Sequence, residues 1–233
     1  VRSARHQTRN AGLAVDNAGI VYVTGYTEGS LGGPRAGPPG DYDVFLARYD
    51  SAGNQLWIRQ FGTSEDEAAY ALASDGAGGV KVAGYTRGSL GGPNAGCTPQ
   101  GCSSDVFLAR YDSAGDRLWI RQFGTSSSDV ARALAPDGAG GVMVAGYTVG
   151  DLGGPNAGRS DAYLARYDGA GNQLWIRQFG SSANDRAHAL AETMLAVLRG
   201  SAKVKTVDLR CESVGNVELL DDNDDLTRPR IKS

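Results

Sequence analysis

Two recurring residue types in this chain have side chains able to do chemistry. A tryptophan stands at Trp57, Trp119 and Trp175, and an acidic residue at Glu67, Asp129 and Asp185. A row of exposed indoles would stack sugars or bases. The same indole also fills the space between packed sheets with a large buried area, and its place in an alternating apolar run favours that spacer role. A recurring carboxylate would bind Ca²⁺ only with help, because the ion takes about six to eight oxygens and each unit supplies one carboxylate. The acidic position is therefore expected to be structural, accepting backbone N–H bonds at a turn. Asp221, Asp222, Asn223, Asp224 and Asp225 lack the spaced glycine and terminal glutamate of a calcium loop. No metal site is expected.

Cys97 and Cys102 lie in the segment CTPQGC. A local disulfide suits them and would fit an oxidising compartment, whereas zinc would need two further ligands that no neighbour supplies. Cys211 is left over. His6 and His188 are the only near-neutral proton carriers. His188 aligns with Tyr70 and Arg132, and so varied a position reads as tolerant surface rather than catalysis. The chain has no G-x-S-x-G elbow, H-E-x-x-H pair or phosphate loop; the glycines of LGGPNAG are turn residues, with no helix following to bind phosphate. No catalytic residue and no cofactor is expected.

The elements that must position these groups are repeated. LWIRQFG occurs at 56–62, 118–124 and 174–180, ARYD at 47–50, 109–112 and 165–168, and GYT at 25–27, 84–86 and 146–148. One unit reads from residue 43 to 86. DVFLARYD alternates as a strand, the turn SAGN follows, and QLWIRQF forms the second strand. A polar loop, the Ala-rich run 68–74, the turn DGAGG and the strand VKVAGYT complete four strands. Helix competes for AAYALAS and VARALA, since Ala and Leu favour it, but each run is short and bounded by glycine-rich turns. The reading gives full units at 43–86 and 105–148, partial units up to 27 and over 161–191, and a non-repeat tail over 192–233. In that tail 189–199 reads as a short helix, 203–212 and 216–220 as strands, and the charged end as flexible. The expected class is all-β: tandem four-stranded antiparallel blades, propeller-like, incomplete or open. The loop following LGGP varies in length between copies, which places it on the surface, on the same side as the polar loops after FG.

Composition removes several functions. With 23 Lys+Arg against 26 Asp+Glu, the net charge of -3 gives no footprint for nucleic acid. No stretch approaches the roughly 18 apolar residues of a membrane helix, so no membrane insertion is expected. The 34 glycines fit many turns. No signal peptide is visible, and the first residue falls within a repeat unit.

The ordered pattern DVFLARYDSAGNQLWIRQFGTS followed by DGAGGVKVAGYT resembles the bacterial SBBP family of β-propeller repeats, over about residues 10 to 191. The resemblance implies an extracellular or cell-envelope module without a shared catalytic motif, one that scaffolds or binds a glycan or protein through the LGGP face. A rival expectation is a propeller hydrolase or lyase acting on polysaccharide; another is a truncated product without independent function. Propellers close with about four to eight blades, more than the three unit-equivalents here, so self-association through open sheet ends is a further expectation.

Overall fold

The computed structural model describes residues 8–99 and 101–189. Among them are fourteen β-strands and no helix, twelve of the strands arranged as three four-stranded antiparallel sheets in tandem, none closed into a barrel. The first blade contains β1 (Thr8–Val15), β2 (Val21–Thr27), β3 (Asp43–Tyr49) and β4 (Gln55–Phe61). The second contains β5 (Glu67–Ser74), β6 (Val80–Thr86), β9 (Asp105–Tyr111) and β10 (Arg117–Phe123). The third contains β11 (Asp129–Pro136), β12 (Val142–Thr148), β13 (Asp161–Tyr167) and β14 (Gln173–Phe179). A small hairpin, β7 (Cys97–Thr98) and β8 (Gly101–Cys102), interrupts the loop before β9. The runs AAYALAS and VARALA are strands. The tail over 190–233, His6 and Cys211 lie outside the described residues, as does all but the first residue of the helix expected over 189–199.

The blades are out of phase with the unit read from sequence. Residues 43–86 and 105–148 each straddle two sheets: β3 pairs with β2 and β4 with β3, whereas β5 and β6 open the next blade. The long LGGP loop joins neighbouring strands of one sheet, and the short stretch 62–66 carries the chain from an outermost strand to the next innermost one. A backbone bond fixes this crossover each time: Glu67 N–H to Tyr42 O at 2.8 Å, Asp129 N–H to Ser104 O at 2.7 Å and Asp185 N–H to Ser160 O at 2.7 Å. Strands assigned to partial units therefore complete blades one and three. Residues 181–189 begin a further innermost segment laid on blade three, where Ala187 N–H reaches Gly146 O.

Small residues allow the inner strands to pack closely. β5 and β11 bury nearly all their alanines, and each innermost strand carries a bulge opposite the glycine of GYT. There a Cβ on Gly84 would overlap the carbonyl oxygen of Ala68, and the same holds at Gly25 and Gly146. Only glycine permits that approach. At the opposite end every hairpin turn starts with an aspartate: Asp50 Oδ1, for example, accepts the N–H of Ala52 at 2.9 Å and of Asn54 at 2.8 Å. Gly53 then takes φ 85°, which costs other residues strain.

Two apolar clusters lie between the sheets, one joining blades one and two, the other blades two and three. Each is edged by side chains of one blade donating to turn carbonyls of the next. Tyr22 OH reaches Gly78 O at 2.6 Å, Arg48 and Trp57 Nε1 both reach Ser113 O (3.0 and 2.9 Å), and Arg59 reaches Ala114 O and Gly115 O (3.0 and 3.2 Å). One repeat on, Lys81 Nζ reaches Gly140 O at 3.0 Å, Arg110 and Trp119 Nε1 reach Gly169 O (3.3 and 3.1 Å), and Arg121 reaches Ala170 O and Gly171 O (3.1 and 3.0 Å). Trp175 has no such acceptor among the described residues.

The same substitution at one repeat position should therefore have unequal effects. Trp57→Ala and Trp119→Ala are each expected to cost about 3 kcal/mol, and Trp175→Ala less than half of that. Urea unfolding of the three variants checks this; equal losses would contradict the seam as described.

Candidate binding face

The loops at the end opposite the aspartate turns share one frame. In blade one, Gln60 Oε1 accepts the N–H of Leu31 (2.7 Å) and Gly32 (3.3 Å), while Nε2 donates to Gly29 O (2.8 Å) and Asp43 Oδ2 (2.7 Å). Asp43 Oδ2 also accepts Ala36 N–H at 3.0 Å. Gln122 with Asp105 repeats this for the loop of blade two, as does Gln178 with Asp161 in blade three. The glutamine folds the loop onto the outermost strand, with Gly32 so close to Ile58 and Arg59 that a Cβ would stand about 3 Å from both. Asp43, Asp105 and Asp161 are each 1% exposed. Among the described residues their Oδ1 atoms have no hydrogen-bond partner, and they lie where a Cβ on Gly62, Gly124 or Gly180 would overlap them. Sequence reasoning missed this pair, although both residues stand unchanged in all three copies.

Between the frame residues the loops differ. Blade two inserts the β7–β8 hairpin, closed by a disulfide between Cys97 and Cys102. Blade three passes almost directly from Gly158 to Asp161, where Gly158 N–H is held by Asn156 at 2.8 Å.

Glu67, Asp129 and Asp185 stand apart, one at each crossover. Glu67 Oε2 accepts Thr63 N–H at 2.6 Å, while Oε1 accepts the hydroxyls of Thr63 and Thr86 at 2.8 and 2.6 Å. Asp129 binds the N–H and hydroxyl of Thr125, and Asp185 those of Ser181. Burial raises the Glu67 and Asp129 carboxyls above their ordinary values, against the lowering effect of these hydrogen bonds. Trp57 and Trp119 sit in the seams, their rings 3.0 Å from where a Cβ on Gly115 or Gly171 would stand.

At the loop end of the inner strands, rings and guanidinium groups form a stripe across the blades. Tyr26 meets Tyr42 edge-on at 4.9 Å, and Tyr70 lies 5.9 Å from Tyr85. The Arg132 guanidinium stands 4.2 Å from the Tyr70 ring and 5.7 Å from that of Tyr147, and Arg186 stands 4.6 Å from Tyr147. Burial pushes the Tyr70 and Tyr85 hydroxyls up. These residues are half-buried, while His188 is exposed. Tyr70 and Arg132 occupy the varied position read from sequence as tolerant surface; in the fold they stack on each other across a seam. A side chain that alternates between ring and cation from one copy to the next was the available signal.

No family model matches the chain. It is similar to the regulatory protein FlaEY of Caulobacter vibrioides, with 35% identity over 173 residues, which make up 70% of this chain and 18% of FlaEY. The chain thus spans less than a fifth of that relative.

Burial gives the folded state a tighter hold on the Glu67 proton than the unfolded chain has. Glu67 then adds stability below its ordinary value of 4.5 and loses that contribution as pH rises through the raised value. Relative to Glu67→Gln, the wild type should gain unfolding free energy as pH falls from neutrality to 4.5. Urea midpoints across that range check it, parallel profiles being the adverse result.

Proposed function

We propose that the chain is a non-catalytic propeller-type repeat module of the SBBP kind that uses its loop end as a binding surface, with glycans as the ligand class. One observation carries this reading: three loops held in the same glutamine–aspartate frame differ most, in length and in sequence, between Gly37, Gly96 or Gly158 and the aspartate of the frame. Such a surface changes its ligand contacts without disturbing the strands. The half-buried tyrosines of the adjoining stripe add apolar ring faces bearing polar tips, suited to sugars. The disulfide in the β7–β8 hairpin supports an extracellular or cell-envelope location. FlaEY is named a regulatory protein, and a module that recognises a ligand without transforming it fits within a longer regulatory protein. A glycan array probed with the wild type and with a variant whose residues 96–103 are replaced by the short loop of blade three tests the reading. Binding that changes or disappears in a variant of unchanged fold is expected; a folded wild type that binds nothing on the array would overturn it.

Self-association is a second reading, favoured by the two ends of the blade series. A Cβ on Gly53 would meet nothing within 4 Å, whereas its counterparts Gly115 and Gly171 face Trp57 and Trp119. Leu13 and Val15 at that end are 65% and 55% exposed. The Ser51–Gly53 carbonyls can thus receive a Trp–x–Arg pair such as Trp175 and Arg177 of a second copy. Light scattering should then give a mass above the 24.3 kDa of one chain, falling to that value in Trp175→Ala; a monomeric wild type would exclude it.

A further inference from the structure

We propose that Arg132 and Arg186, gathered about Tyr147 at the loop end, form a site for the carboxylate or sulfate group of an acidic saccharide. This rests on the reading of the loop end as a glycan-binding face and names the chemistry the ligand must carry.

The other arginines of the seams already have acceptors. Arg59 and Arg121 reach turn carbonyls, and Arg110 and Arg166 form ion pairs with Asp75 and Asp137 at 2.7 and 2.9 Å. Arg132 and Arg186 instead lie against tyrosine rings, Arg132 also hydrogen-bonding the neutral Tyr70 hydroxyl, and neither has a carboxylate within ion-pair distance among the described residues. Among the described residues the Nε of each is buried without an acceptor. The acidic residues adjoining them in sequence are turned away: Asp129 toward Thr125 and Asp185 toward Ser181.

Two cations within 6 Å of one ring repel each other, and half-burial weakens the solvent screening that would hide the repulsion. An anion bound to either guanidinium at this ring offsets it. Stacking on rings also fixes the guanidinium planes, so that their N–H edges are presented with little loss of side-chain freedom, and such edges fit a carboxylate or sulfate in paired hydrogen bonds. Tyr70 and Tyr85 extend the site with half-buried ring surface, which suits the pyranose carrying the acid better than a free inorganic anion. The two cations come from different elements, one from β11 and one from the segment after β14, so the site exists only when that segment is seated on blade three.

Calorimetric titration of the full chain with tetragalacturonate, a sulfated tetrasaccharide and neutral cellotetraose tests the inference. Binding of at least one acidic oligomer and not the neutral one is expected, weakening as salt is raised. Arg132→Gln and Arg186→Gln should each reduce affinity about tenfold to a hundredfold. The second variant lies beyond the last described strand, β14, and guards against loss of fold in the first. Equal binding of cellotetraose, with both variants unaffected, would remove this site while leaving glycan binding intact; a folded chain that binds none of the three would overturn the site as well.

Discussion

A side-chain donor reaching a backbone carbonyl of the next blade is the interaction on which the rest of this fold depends. The ladders of the sheets are separate, and what holds the blades in series is the backbone bond at each crossover and apolar packing edged by these directed contacts. The receiving atoms belong to the main chain, so a receiving blade needs only the right turn geometry. Ser113 accepts the Trp57 indole N–H and Gly169 the equivalent one of Trp119, although one is serine and the other glycine. The turn itself is set by an aspartate that gathers two N–H groups and a glycine at positive φ. Local turn chemistry thus determines where whole blades sit.

This arrangement divides the molecule into two ends. Seam contacts gather at the aspartate turns, which cannot lengthen without moving the acceptor carbonyls. The other end is tied down by Gln60 and Asp43 and their counterparts, which hold both ends of each LGGP loop and leave its middle free. Blade two accommodates a disulfide-closed hairpin there while its frame bonds stay within a few tenths of an ångström of those in blades one and three. Structural burden at one end frees the other for variation.

The strands and turns were legible in sequence because their periodicity and turn residues act locally: DVFLARYD alternates and DSAGN turns wherever it occurs. Even the Ala-rich runs, ambiguous by propensity, were decided by length and flanking glycines. The phase of the blades was not legible. A tandem repeat has the same period wherever it is cut, and only the pairing of β2 with β3 across a 15-residue loop, against the crossover at 62–66, selects the cut. Loop length pointed the other way, because a long excursion reads as a boundary. The stacked residues were hidden for a different reason. Tyr70 and Arg132 are unlike as residues but complementary as a ring and a cation, and repeat alignment places them in one column when in space they face each other.

The seams also show how much variation this scheme tolerates. Tyr22, Lys81 and Met143 occupy equivalent places on β2, β6 and β12. A phenol and an ammonium on long stems both reach the corresponding glycine carbonyl, so either satisfies the seam. The exchange is not neutral in charge. Lys81 is only 1% exposed, and burial lowers its pKa. Its charge is acceptable because Asp75 and Asp137 lie nearby, but both carboxylates are already engaged by Arg110 and Arg166. At this place the second seam therefore holds a buried ammonium among two carboxylates and their arginines, where the first holds an uncharged phenol beside Arg48. Met143 offers no donor at this place, so on the corresponding face of blade three the side-chain donors of the repeat are reduced to Arg166, Trp175 and Arg177.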